Sequence, residues 1–207
     1  ARQPDLGTSL LVITAGLIVV FLSGIPFRYI FSLIILCIPS SLLLWKFMKD
    51  YQRQRVLTLI NPDTDPLGAG YNIIQSKIAM GSGGIFGKGW TNGSQVQLEF
   101  LPEKNTDFIF AVAGEELGLI FCLIILIIIL SIVIKTLLKI LKVTNPYKII
   151  ATSGLICSFG LQSLINILSA LGMIPTKGMT LPFVSYGGSS MLATSILFGF
   201  LLRRKFK

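Results

Sequence analysis

Apolar residues gather into five runs along this chain: Thr8–Gly24, Tyr29–Trp45, Glu116–Ile134, Ile149–Leu171 and Val184–Leu202. A helix needs roughly 17–25 mostly apolar residues to cross a bilayer, so each run is long enough to span one or nearly so. The period-2 alternation of an outer-membrane barrel is not found in them. The pattern predicts an all-α, polytopic helical membrane protein with about five transmembrane helices. Three connections are short. The fourth, residues 46–115, is one large loop punctuated by Gly, Pro, Asn and Asp. Eight of the nine acids fall between Asp50 and Glu116, so chemistry is expected in this loop and where it enters the third run.

Composition agrees with the pattern. The chain is 53% hydrophobic and 13% charged, with a mean hydropathy of +0.79. A soluble domain is about one-quarter charged, so a soluble enzyme is excluded. Charge sets the orientation. With the large loop outside, the Arg28 turn, the loop holding Lys135, Lys139, Lys142 and Lys148, and the tail holding Arg203, Arg204, Lys205 and Lys207 all lie inside. That side then carries nine cations and no acid. The positive-inside bias thus makes the loop extracytoplasmic and the C-terminus cytoplasmic. The net charge of +9 reports this topology and contact with membrane lipid, and is no argument for nucleic acid.

There is no histidine, which removes Ser-His-Asp and Cys-His nucleophiles and His-ligated metals together. A general base must be a carboxylate, Lys or Tyr. Cys37, Cys122 and Cys157 each lie alone in an apolar run without CxxC spacing, and are expected to be packing residues. No metal-ligand spacing stands out.

Within the large loop, Tyr71, Ile74 and Ile78 recur at helical spacing before Gly81, which predicts a short interfacial helix over 71–80. The run from Gly81 to Trp90 fails both nucleotide motifs. Gly89 stands where a phosphate loop needs Ser or Thr after Lys88, and Phe86 occupies a required glycine of the dinucleotide pattern. Two readings remain: a tight turn anchored at the membrane surface by Phe86 and Trp90, or a backbone cradle for a lipid-linked phosphate.

Asn105 or Thr106 is placed to cap a helix with Asp107 in its first turn, where an acid complements the helix dipole or, at the membrane surface beside Lys104, serves chemistry. Glu115 and Glu116 enter the apolar run, where acids are costly unless partnered, and a structural pairing with Arg or Lys from another span is expected. On one continuous helix, Asp107 and Glu115 would lie about 12 Å apart. That exceeds the roughly 5–9.5 Å of a glycosidase carboxylate pair, so one base assisted by cations is the expected arrangement.

Five stretches carry a family resemblance: QPDLGTS from Gln3, DYQRQR from Asp50, NPDTDPLGAGYNIIQSKIAMGSGGIFGKGW from Asn61, QLEFLPEKNTDFIFAVAGEELGL from Gln97 and LPFVSYGGSS from Leu181. The chain closely resembles, over essentially its whole length, the C-terminal half of the shape, elongation, division and sporulation (SEDS) family. The DYQRQR and QLEFLP wording favours the rod-shape branch. The resemblance implies a ten-span fold of which this chain holds five spans, in the bacterial inner membrane. The implied activity is that of a peptidoglycan glycosyltransferase that polymerises lipid II together with a class B penicillin-binding protein. The family's essential aspartate lies in its TDFIF motif, here Thr106–Phe110, and falls on Asp107. The position before Thr106, commonly His in the family, is Asn105.

On this reading Asp107 takes the proton of the acceptor sugar's 4-hydroxyl as it attacks the donor. Lys104, Lys88, Arg53 and Arg55 are the expected partners of the departing pyrophosphate, and a divalent cation is a further candidate. A lipid II transporter would instead line a path through the spans with residues such as Gln162 and Asn166. A non-catalytic scaffold would only position the penicillin-binding protein.

Overall fold

The structure is a computed structural model that describes residues 6–22, 26, 28, 29, 32, 35, 46, 50–62, 68–101, 103–175 and 178–202. Most of the second predicted span, Tyr29–Trp45, lies outside the described residues, as do Cys37, the tail cations from Arg203 onward and the side chain of Arg55. Among the described residues the structure is all helical. In chain order the helices are α1 (Leu6–Leu22), α2 (Asp50–Ile60), α3 (Ala69–Gly83), α4 (Ser94–Gln97), α5 (Ile109–Glu116), α6 (Gly118–Ile140), α7 (Pro146–Ala170) and α8 (Gly188–Leu202).

Two of these helices are long and apolar enough to cross a membrane. α6 has 23 residues and a mean hydropathy of 3.1, and α7 has 25 residues and 1.4. Most of α6 is unburied within the fold, with Ile127, Ile128, Leu130 and Ile134 exposed, as a helix wall facing lipid or another chain requires. α7 is the central helix. It packs against α1, α6 and α8, and small residues let the backbones approach: Gly154 meets Val19 of α1, and Gly160 meets Val133 of α6. Asn145 caps α7 by accepting from the amides of Tyr147 and Lys148 at 3.0 and 3.4 Å, and Pro146 fills the first helical position. Phe159, Phe183 and Phe198 stack edge-on where α7 meets α8, with two of the three centroid distances at 5.1 Å.

The large loop folds back over one end of α6 and α7. Its helix α3 buries Ile73, Ser76 and Ala79 against α5 and the end of α7, whereas Ile78 is exposed. The buried face therefore differs from the Tyr71, Ile74 and Ile78 stripe that the apolar spacing suggests. Small residues decide it: Gly83 lies so close to α5 that a Cβ there would be 2.0 Å from the carbonyl oxygen of Gly114, and Ser76 Oγ donates to the Ala170 carbonyl. A core of Ala79, Leu101, Phe108, Phe110, Ile167 and Leu181 joins α3, α5 and α7 beneath the loop.

Candidate active site

The entry into the third apolar run is not one helix. α5 ends at Glu116 and α6 begins at Gly118, with φ +81° at Gly118. The glycine turn 83–89 fits into this break. The amides of Lys88 and Gly89 donate to the carbonyls of Glu115 and Glu116 at 2.9 and 3.0 Å, and those of Leu119 and Ile120 donate to Gly84 and Ile85 at 3.0 and 3.3 Å. The turn thereby satisfies helix-end groups that no side chain caps. A Cβ on Gly87 would lie 2.2 Å from the Glu116 carbonyl, and one on Gly118 would lie 2.3 Å from the Gly87 nitrogen. These glycines serve a backbone-to-backbone contact. The amides of Gly87, Lys88 and Gly89 are spent within the protein, so of the two readings the tight turn fits, and the phosphate cradle finds no free donors at those positions. Phe86 and Trp90 are exposed beside it.

Glu115 is fully buried and pairs with Lys88, not with a cation from another span as expected. Its Oε1 accepts from Lys88 Nζ at 2.7 Å, from Ser94 Oγ and the Gln95 amide at 3.1 Å each, and from Ser82 Oγ at 3.4 Å. Burial alone would raise its pKa, but the bonds from Lys88, Gln95 and Ser94, with the Lys88 charge, outweigh this and hold it below the usual carboxylate value. Gly93 leaves room for the second oxygen, since a Cβ there would lie 2.9 Å from Oε2. Glu116 is also buried, with its Cγ against Gly93.

Asp107 sits differently. It precedes α5 in a turn whose amides at Thr106 and Asp107 both donate to the Glu103 carbonyl at 3.1 Å. Thr106 does not cap the helix; its hydroxyl donates to the Glu103 carboxylate at 2.9 Å. The backbone around Asp107 is gripped from a distance. Asn166 of α7 donates to the Asp107 carbonyl at 3.0 Å and also to the Met179 carbonyl. Ser185 donates to the Thr106 carbonyl, and the Tyr186 amide to that of Asn105 at 2.9 Å. The carboxylate itself is half-buried beside Gly178, 3.4 Å from where a Cβ would stand. Burial, and then the charge of Glu103, hold its pKa above the ordinary 3.8.

Next to this turn lies an open cavity of about 460 Å³ lined by Glu99, Glu103, Lys104, Asn105, Thr106 and Tyr186, with Leu101. Glu99 and Glu103 both hold left-handed backbone, φ +55° and +54°, a conformation that costs a non-glycine residue about 1–2 kcal/mol and gathers at functional sites. Lys104 is anchored by the Val96 carbonyl at 3.0 Å and stands 3.9 Å from Glu99. Of the other expected cations, Lys88 is engaged with Glu115 and Ser94, and Arg53 on α2 donates to the Lys46 carbonyl. Asn166, Ser185 and Tyr186 are the site residues that the sequence reading did not assign. Their signals were polarity inside apolar runs and, for Ser185 and Tyr186, a place in the LPFVSYGGSS stretch. Gln162 donates to the Thr180 carbonyl and Thr180 to Ser190, so Gln162, like Asn166, braces a loop. No three Asp, Glu or Cys side chains among the described residues are placed to hold a metal ion together.

These features define a helical membrane protein with a carboxylate site built by one large loop over the ends of its spans. Residues 1–206 match the family described as cell cycle protein, which groups FtsW, RodA and SpoVE, and the chain belongs to that family. Peptidoglycan glycosyltransferase MrdB of Escherichia coli (strain K12) is 48% identical over 203 residues, covering 98% of this chain and 55% of that protein. The probable peptidoglycan glycosyltransferase FtsW of Geobacter metallireducens is 39% identical over 201 residues, covering 97% and 53%. A solved chain from a study of how a peptidoglycan synthase complex coordinates polymerization and crosslinking superposes with a TM-score of 0.75 at 36% identity, covering 96% of this chain and 55% of that one. The chain thus spans about half the length of the curated relatives it matches.

Proposed function

We propose that this chain carries the catalytic face of a peptidoglycan glycosyltransferase that polymerises lipid II into glycan strands for cell-wall elongation and rod shape. The observation that carries the reading is Asp107: a half-buried carboxylate with a raised pKa, on a turn braced by α7 and the 181–190 loop, beside a cavity that holds Lys104. A base works best when its pKa approaches the working pH, and burial moves Asp107 in that direction. It takes the proton from the acceptor's 4-hydroxyl as that oxygen bonds to the donor's anomeric carbon. The bond from that carbon to the pyrophosphate breaks, and undecaprenyl pyrophosphate leaves with the electron pair.

Lys104 is assigned to the developing charge on the pyrophosphate. Lys88 is assigned to holding Glu115, and no step is routed through a metal. The protein sits in the bacterial inner membrane with the large loop extracytoplasmic and the C-terminus cytoplasmic. A class B penicillin-binding protein is the proposed partner, in keeping with the solved relative from a peptidoglycan synthase complex.

The test is polymerisation of labelled lipid II by purified protein with its partner. Wild type should form glycan strands, and Asp107→Ala should lose at least roughly a hundredfold in rate while inserting into membranes normally. Transport of lipid II without polymerisation, or no activity in either protein, would overturn the reading in favour of a transporter or a scaffold.

A further inference from the structure

A second cavity lies at the other end of the molecule, between the inner ends of α6, α7 and α8. It measures about 590 Å³, within the roughly 300–1,000 Å³ range of ligand pockets. Its walls are apolar, with Ile132, Ile140, Val143, Phe198 and Leu201, and Lys135, Lys139 and Lys142 stand at its rim. Lys139 follows Gly118 by 21 residues on one continuous helix, a rise of about 32 Å at ~1.5 Å per residue. This matches the ~30 Å hydrocarbon core, so the cavity sits at the opposite membrane face from Asp107 and plays no part in the site described above.

Lys135 and Lys139 stand four residues apart on α6 and Lys142 lies just past its end, a short stripe of like charge whose i, i+4 pair is unfavourable on a helix left to itself. Residues 117–207, which contain nine Lys and Arg, hold no Asp or Glu to compensate it. The ion pairs among the described residues, Lys88 with Glu115 and Lys104 with Glu99, are both in the large loop. The stripe therefore calls for an anion from outside the fold, and the apolar walls behind it call for a hydrocarbon chain attached to that anion. A soluble anion would leave the walls unfilled, and a neutral lipid would leave the lysines unpaired.

We propose that this cavity is a binding site for an anionic glycerophospholipid of the cytoplasmic leaflet, its phosphate on Lys135, Lys139 and Lys142 and an acyl chain against Ile140, Val143 and Phe198. The proposal rests on the membrane-embedded fold and not on the transferase reading, and its test reads lipid binding alone.

The full chain, purified in detergent, is titrated with dioleoylphosphatidylglycerol or dioleoylphosphatidylcholine, and bound lipid is counted by native mass spectrometry. The anionic phosphatidylglycerol should bind about a hundredfold more tightly, at roughly fivefold per lysine. Replacing Lys135, Lys139 and Lys142 together by Gln should abolish that preference, whereas replacing all three by Arg should keep it. Thr152→Trp, which intrudes into the cavity from its α7 wall and leaves the lysines in place, should also weaken binding about tenfold. Lys148→Gln removes a cation from the same face outside the cavity and should bind as wild type. Equal affinity for the two lipids, full binding by the Gln triple or by Thr152→Trp, or an equal loss in Lys148→Gln would overturn the assignment.

Discussion

Asp107 and Glu115 lie eight residues apart on the same segment, yet their surroundings push them in opposite directions. Glu115 is wholly buried, accepts four hydrogen bonds on one oxygen and has a lowered pKa. Asp107 is half-exposed beside a glycine and a second acid, with a raised pKa. A carboxylate surrounded by donors is stabilised as an anion and holds its neighbours in place. A carboxylate short of donors keeps its basicity, and rigid backbone bonds on either side let the fold carry that cost. The same segment thus supplies the brace and, on the proposed function, the reactive group.

The brace breaks most completely at its tightest contact. Gly118→Val would place a side chain into the Gly87 backbone at a position with φ +81°, and no folded protein should be recovered after membrane extraction and gel filtration. Lys88→Met leaves the buried Glu115 charge without its cation. A loss of roughly 3–5 kcal/mol is expected for breaking such a pair, measurable as a lowered Tm in detergent. Lys88→Met together with Glu115→Leu should recover part of that loss.

Smaller effects are expected on the reactive side. Asn166→Ala removes two bonds that position the Asp107 turn, and the polymerisation rate per folded molecule should fall about ten- to hundredfold with little change in Tm. Glu103→Gln should have the mildest effect. A base must be deprotonated to work, so activity rises with pH through the Asp107 pKa and is lost below it. Because Glu103 helps hold that pKa up, removing its charge should move the acid limb of the pH–rate profile to lower pH, a shift read from kcat/KM across an acidic series.

Much of this contrast could be read from the sequence and part could not. The all-helical class and the long apolar helices α6 and α7 were legible, because each depends on residues close together in the chain. The partner of Glu115 was not, since Lys88 comes from a glycine turn 27 residues upstream. Nor were the hands on Asp107, which reach back from 59 residues away at Asn166 and, on Thr106, from 79 residues away at Ser185. The break at Leu117–Gly118 was not read, because what fits into it is the backbone of the 83–89 turn, about 30 residues upstream. The buried face of α3 was misjudged because Ser76, Ala79 and Gly83 pack by being small, which hydrophobic spacing does not register.

The division of labour between the two acids is tested most directly by comparing Asp107→Asn with Glu115→Gln. Each variant is assayed with its partner for polymerisation of labelled lipid II, and the rate is divided by the amount of folded protein. Asp107→Asn keeps the shape of the side chain but cannot accept a proton, so it should accumulate normally and lose at least roughly a hundredfold in rate. Glu115→Gln should accumulate poorly, and the molecules that fold should polymerise at close to the wild-type rate. Near-normal activity in Asp107→Asn, or well-folded but inactive Glu115→Gln, would contradict the account.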